Sequence, residues 1–330
     1  MRSSMMRAGT VLALAGALAG TTGAIVVAQD PAEIAYLSAS SANTWLATSK
    51  VAMDEVAAAN GMVLTEFDAQ FNADLQTTQL QDVISSGQYD GIIVSALNGV
   101  GLLPDLQAAA AAGMKIVGLN QVIGTALDTA DPQDPAISAS VMAPPLRSGQ
   151  RLGEVTLKAC EGIDPCRVVY FYGIKGIPLD VALKQGWDEV TAANPAITVV
   201  NEGEGQYLGP DVAMTAMQDI LVGTPDFDVV VGSDQAMQGV ELALADAGKL
   251  ESVKLIGLGG SAPALAAIAD GRWFGGVMGA PATEGRLAAE AMIAALAGEN
   301  AGGLDPLTTL PDEGLVTAEN VASFTAEWNG

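Results

Sequence analysis

EIAYLSASSANTWLATSKVAMDEVAAANGMVL, residues Glu33 to Leu64, spells out a strand, a polar loop, a long helix and a second strand. The loop Ser38–Thr44 carries three serines and an asparagine, and Trp45 opens the helix. Hydrogen-bonding groups and an aromatic ring therefore gather at the carboxyl end of the first strand. In open α/β sheets that end is where ligands bind.

The same unit recurs on either side of a break. Strands are expected over Ile34–Ser38, Val63–Phe67, Gly91–Ser95, Lys115–Leu119 and Ile137–Met142, and helices over Thr44–Asn60, Ala73–Ser86 and Val100–Ala112. The strands are unbroken apolar runs, as a parallel sheet covered on both faces requires. Asn60-Gly61 and Ala112-Gly113 supply helix stops. After Ala143-Pro144-Pro145 the series restarts at a helix over Leu146–Ala159 and continues to the helix Pro281–Ala297. A short strand near Leu315–Thr317 and a last helix over Ala318–Trp328 close it. A double proline cannot continue a strand ladder, so it marks a stiff connector. So many β-α units exceed one doubly wound sheet, and at 330 residues two lobes are the economical solution. The fold class is α/β, two similar doubly wound parallel-sheet lobes.

The formal charge of −24 disfavours phosphate backbones and anionic lipid heads, so neither nucleic acid nor a membrane surface is a partner. Such a charge serves solubility; a cationic ligand is the sharper alternative. The chain has no histidine. That removes Ser-His-Asp and Cys-His nucleophilic chemistry and histidine metal ligation, leaving only carboxylate or lysine chemistry to an enzyme. No G-x-G-x-x-G follows a strand, and neither a P-loop nor a G-x-S-x-G elbow occurs. No cofactor and no metal are expected. Asp128, Asp131 and Asp134 share one acidic loop and read as turn residues, with calcium ligation as the alternative.

Arg2 and Arg7 precede the apolar run Val11–Gly20, and Val26-Val27-Ala28 fits a signal-peptidase site. Residues 1–28 are expected to be a cleaved leader, placing the mature chain in the periplasm or outside the cell, without membrane insertion. A retained anchor over Ala8–Ala28 is the rival. In that oxidising compartment Cys160 and Cys166 are expected to pair across the turn Gly162–Pro165, two unpaired thiols being the alternative.

In element order over Ile34–Gly298 the chain resembles the sugar-binding group of type I periplasmic binding proteins, the receptors of ABC importers. Four segments carry the resemblance: Asn43-Thr-Trp45-Leu46 before the first helix, Tyr89–Ser95, Ser233-Asp234-Gln235-Ala236-Met237-Gln238-Gly239, and Leu255–Ser261. It implies a three-strand hinge with crossovers near Ala143, Gly279 and Thr309–Pro311. On that basis residues 29–142 plus 280–308 form the N-terminal lobe, and 143–279 plus 309–330 the C-terminal lobe. It also implies a monomeric receptor that closes on a small ligand, a sugar or sugar-like solute, and delivers it to permease subunits. A sensory module of the same fold and an exported carboxylate-using enzyme are the alternatives.

Carried over position by position, the family's ligand site falls on Asn43, Trp45, Leu46, Ser95, Asn120, Gln121, Tyr207, Ser233, Asp234, Gly259 and Gly279, with Asp180 at the start of the second lobe's first helix. Each has a plainer reading beside the ligand role. Trp45 is otherwise a core ring, Asn120 and Gln121 are loop residues bonding their own backbone, Tyr207 is a surface tyrosine, and Asp180 and Asp234 are helix caps. The other tryptophans, Trp187, Trp273 and Trp328, are expected to pack. The family's Asp-Arg pair after the fourth strand is replaced here by Asn120-Gln121. Its arginine near Val181 and its aspartate at Gly259 are also missing. Charge-assisted bonds are roughly twice as strong as neutral ones, so this cleft is more neutral than a typical sugar site.

Overall fold

A computed structural model describes residues 30–330; the expected leader and its cleavage site lie outside the described residues. Along the chain come β1 (Ala32–Ser38), α1 (Thr44–Ala59), β2 (Met62–Asp68), α2 (Ala73–Ser86), β3 (Gly91–Val94), α3 (Gly99–Ala111), β4 (Lys115–Leu119) and β5 (Ala139–Val141). Then follow α4 (Pro145–Ala159), β6 (Cys166–Tyr172), α5 (Pro178–Thr191), β7 (Ile197–Glu204), α6 (Pro210–Gly223), β8 (Val229–Ser233) and α7 (Asp234–Asp246). The series ends with β9 (Lys254–Gly259), α8 (Ala262–Ala269), β10 (Gly275–Met278), α9 (Pro281–Leu296), β11 (Gly302–Leu304) and β12 (Leu315–Thr317).

The strands form two six-stranded sheets with the orders β11-β5-β4-β3-β1-β2 and β12-β10-β9-β8-β6-β7. Pairing is parallel throughout except between β10 and β12. The first strand of each lobe (β1, β6) sits between the second and third, so each sheet has a topological switch point beside it, and loops leaving the strands' carboxyl ends there form a crevice. Each sheet is covered on both faces. Met53 of α1 and Met292 of α9 pack on one side of the first sheet, and Leu80 of α2 and Leu106 of α3 on the other. The second sheet lies between Leu152 and Trp187 of α4 and α5 and Met217, Met237 and Leu265 of α6, α7 and α8. This double burial explains why the strands read as continuous apolar runs.

Because α4 packs against the second sheet and α9 against the first, the chain passes between lobes after β5, after β10, and again between β11 and β12. Arg147 of α4 joins Glu154 and Glu313 beside the last of these passages. Cys160 and Cys166 form a disulfide between the end of α4 and the start of β6. Among the described residues no group of acidic side chains is arranged to hold a metal ion. In the acidic loop, Asp134 instead accepts from the Ala136 amide and from Gln107. No helix among the described residues is long and apolar enough to cross a membrane.

One expected element is replaced. The tail Ala318–Trp328 holds only a single 3-10 turn at Val321–Ser323. Asn320 diverts the backbone by accepting from the Thr317 amide and donating to the Leu315 carbonyl and to Asp312. Beyond it the chain runs irregularly, fastened where the Ala262 amide donates to the Trp328 carbonyl. Tertiary bonds override a composition that suits a helix.

Candidate functional site

The carboxyl ends of the two sheets face each other across a cavity of about 120 Å³, well above the roughly 10–15 Å³ that a single water needs. On the first lobe, Asn43 ends the β1–α1 loop. Its Oδ1 accepts from the Leu46 amide, capping α1, and its Nδ2 donates across the cleft to the Tyr207 carbonyl at 2.8 Å. One residue thus fixes the start of a helix and ties the lobes together. Trp45, two residues on, swings its ring against Gly279. A Cβ at Gly279 would fall 2.1 Å from that ring, so only glycine lets the second passage run so close to the tryptophan.

The ring's Nε1 donates to Glu284 Oε2 at 2.9 Å. Asn120, at the end of β4, donates its Nδ2 to the same oxygen at 3.1 Å, and Gln121 Nε2 donates to Asn120 Oδ1 at 3.2 Å. Asn120 has φ 62°, a left-handed conformation that asparagine tolerates better than most residues. The sequence Gln121, Asn120, Glu284, Trp45 is therefore one hydrogen-bonded chain along the first lobe's wall. Glu284 is 2% exposed. Burial pushes its carboxyl up to about 8 against the two bonds it accepts, and nearby Glu327 and Asp305 push the same way.

The second lobe supplies Tyr207, Ser233 and Gln235. Tyr207 follows β7 with φ 55° and lies over Gly173, where a Cβ would come within 1.9 Å of the ring. A bulky residue in this region is strained at a cost of about 1–3 kcal/mol, and such strain collects at ligand clamps. Its hydroxyl donates to Asp180 Oδ1 at 3.1 Å. Ser233 caps α7 by accepting from the Ala236 amide, and Gln235 reaches across to Thr44 Oγ1 at 3.3 Å. Apart from Ser148 of α4, the rest of the lining is apolar: Leu46, Phe71, Leu97, Leu258, Met278 and Trp328 are examples. Among the described residues no lysine or arginine borders the cavity, and Glu284 is the one carboxyl that does.

Of the residues singled out from sequence, Asn43, Trp45, Leu46, Asn120, Gln121, Tyr207, Ser233 and Gly279 meet at this cavity. Ser95, Asp180, Asp234 and Gly259 stand behind its wall. Asp180 spends its carboxylate on the Gly173 and Ile174 amides, at 2.7 and 3.0 Å, as well as on Tyr207. Asp234 accepts from the Ser261 amide at 2.7 Å. Burial pushes both carboxyls up to about 6, and the bonds they accept pull them down. Ser95 is wholly buried, its carbonyl accepting from Gln76.

Sequence reasoning missed Glu284, Gln235 and Trp328. Gln235 adjoined two residues already singled out and fell within a quoted segment. Glu284 gave no signal, since an acid in the first turn of a helix is ordinarily a dipole partner. Trp328 was expected to be a packing residue, as Trp187 and Trp273 are. It instead borders the cavity with its ring edge-on to Trp45, centroids 5.2 Å apart, its Nε1 donating to the Gly259 carbonyl at 2.8 Å.

A profile of the periplasmic binding protein domain matches residues 34–300. The chain belongs to the periplasmic binding protein family. This periplasmic binding protein is 25% identical over 257 residues to the ribose import binding protein RbsB of Bacillus subtilis, covering 76% of each chain. It is 24% identical over 234 residues to a xylitol-binding protein of Mycolicibacterium smegmatis, covering 71% of this chain and 63% of that one. Its fold matches an ABC transporter solute-binding protein of Bacillus halodurans with bound myo-inositol, at TM-score 0.77 and 23% identity, over 91% of this chain and 99% of the other. A solute-binding protein of Mycobacterium smegmatis with bound glycerol matches at TM-score 0.76 and 24% identity over the same shares. The periplasmic binding protein is accordingly a solute receptor and not an enzyme.

Proposed function

We propose that the protein is an exported receptor that captures a small uncharged polyhydroxylated solute, a pentose, a pentitol or a compact cyclitol, and presents it to the permease subunits of an ABC importer. One observation carries this reading: a cavity between two lobes, walled by tryptophan and edged by amides and hydroxyls, with no basic side chain among the described residues that line it. Phosphates and carboxylates find no cation there. A polyol finds donors and acceptors for its hydroxyls and apolar surface for its C–H faces. The names of the relatives point the same way: one imports ribose and another binds xylitol.

Residues 29–142 plus 280–308 and 143–279 plus 309–330 are the two bodies that move about the three passages. The ligand favours the closed arrangement because only there does it touch both lobes. Asn43, Trp45, Asn120, Gln121, Tyr207 and Ser233 supply direct contacts, whereas Ser95, Asp180 and Asp234 hold the walls that carry them. Residues 1–28 act as the export leader, and the mature receptor works as an extracytoplasmic monomer. The test is a thermal-shift panel of neutral sugars and polyols with matched acids and amines. A neutral solute at a hundred times its dissociation constant stabilises by about 2.7 kcal/mol, which raises the melting temperature by roughly 5 °C. Shifts produced only by acids, or by nothing in the panel, contradict the reading.

A further inference from the structure

The cleft contains one group whose chemistry differs from everything around it. Glu284 Oε2 is saturated by Trp45 Nε1 and Asn120 Nδ2, while Oε1 takes no hydrogen bond from any described residue. The carboxyl borders the cavity from the first turn of α9 and is otherwise shielded from water. Oε1 is not one of the sealed, unpartnered polar atoms among the described residues, so part of it stays accessible, and the cavity the carboxyl borders is the side from which a partner reaches it.

We propose that Glu284 is the specificity-determining residue of this cleft, presenting Oε1 as a neutral carboxylic acid that donates its proton to one hydroxyl oxygen of the ligand. This rests on the reading of the protein as a receptor for uncharged polyols. The geometry favours the acid over the carboxylate. Among the described residues its surroundings hold no compensating cation: α1 contributes the neutral Trp45, its Lys50 being paired with Asp54, and the end of β4 contributes the neutral Asn120. The tail contributes Glu327, the stretch after β11 contributes Asp305, and β1 contributes the buried phenol of Tyr36. On α9 itself, Arg286 turns to the Thr283 hydroxyl. Two acids and no base around a desolvated carboxyl keep its proton on, in keeping with its displacement to about 8. With Oε2 occupied by two donors, the proton sits on Oε1, facing the ligand. A carboxylic acid placed in this way gives a strong, directional bond to a hydroxyl and repels an anion once ionised.

Calorimetric titration of the mature protein with D-ribose, xylitol and myo-inositol, from pH 6 to 9.5, tests this. For whichever probe binds, wild-type affinity holds level to about pH 7.5 and then falls at least tenfold by pH 9.5. Glu284→Gln keeps a donor at the same place, so its affinity near pH 7 stays within a few-fold of wild type and changes less than twofold up to pH 9.5. Glu284→Ala, its fold checked by circular dichroism, binds at least tenfold more weakly at every pH. A wild-type profile as flat as that of Glu284→Gln overturns the proposal while leaving the receptor reading intact, as does Glu284→Ala binding as tightly as wild type. Binding of none of the three probes, at any pH, overturns the reading on which the proposal rests.

Discussion

Asn43 Nδ2 donates 2.8 Å to the backbone carbonyl of Tyr207, joining the first turn of α1 in one lobe to the strained loop after β7 in the other. The same side chain caps α1 through Oδ1. The two duties separate by substitution. Asn43→Ala loses both, at about 1 kcal/mol for the cap alone, and lowers ligand affinity. Asn43→Asp keeps the acceptor but sets an oxygen against the Tyr207 carbonyl. Its melting temperature should stay close to wild type while ligand affinity falls severalfold, and small-angle scattering should show a more open molecule.

Trp45 forms the cleft's aromatic wall and also donates to Glu284. Trp45→Phe keeps a ring and loses the donor, so affinity should drop a few-fold; Trp45→Ala removes both and should drop it at least tenfold. Trp45 and Trp328 meet edge to face at the cavity, whereas Trp187 and Trp273 are buried in the second lobe. Ligand binding should therefore change the intrinsic fluorescence of the wild type, and the double variant Trp45→Phe, Trp328→Phe should lose that change.

The buried carboxyls set an unusual pH dependence of stability. Asp180 and Asp234 stand at about 6 and Glu284 at about 8, all raised by burial above the values they have in the unfolded chain. Between the unfolded and folded values the native state binds more protons, so these groups favour folding at low pH and that contribution is lost as pH climbs. At Asp68 and Asp228 burial's upward push is outweighed, by bonds from Ser41 and Gln70 in one case and from Arg167 in the other. Their stabilisation is present at neutral pH and lost in acid. The melting temperature should peak near pH 4, where the gain from the lowered acids gives way to the loss from the raised ones, and decline toward pH 8, and Glu284→Gln should flatten the decline between pH 6 and 8. A scan in a buffer series of constant ionic strength measures both.

The disulfide lies away from the cavity. Neither Cys160 nor Cys166 borders it, and both pack in the core beneath α4. Closing a loop over a sequence separation of 6 stabilises by roughly 2–2.5 kcal/mol in the chain-entropy model. Paired Cys160→Ser, Cys166→Ser substitution should lower stability by about that amount in denaturant titration and leave ligand affinity unchanged.

Much of this architecture is written in local sequence signals. Apolar strand runs, glycine helix stops and the double proline after β5 mark the alternation and the first passage between lobes, because each works through its own neighbours. The strand-end rule pointed to the first loop with Trp45 and to Asn120 and Gln121, because a residue just past a parallel strand projects into the crevice, whereas Tyr207 and Ser233 were placed by the family resemblance. The tail failed that logic. Ala318–Trp328 has helical composition, but Asn320 and the docking of Trp328 at Gly259 bind it elsewhere, and such bonds have no local signature. Glu284 escaped because it faces the cavity from a helix first turn, where an acid needs no special explanation. Asp180 and Asp234 drew attention through the family resemblance, with helix capping as the plainer reading, and the backbone amides of Gly173, Ile174 and Ser261 occupy them.

The most direct test of the central claim is calorimetric titration at pH 7 with neutral pentoses, pentitols and cyclitols beside their carboxylate, phosphate and amine counterparts. A cavity that, among the described residues, has no basic side chain and one proton-bearing acid predicts saturable one-to-one binding of a neutral polyol in the micromolar range, near −8 kcal/mol. It also predicts no measurable binding of the matched anions. Binding of an anion more tightly than every neutral solute, or of no neutral solute at all, would contradict the account.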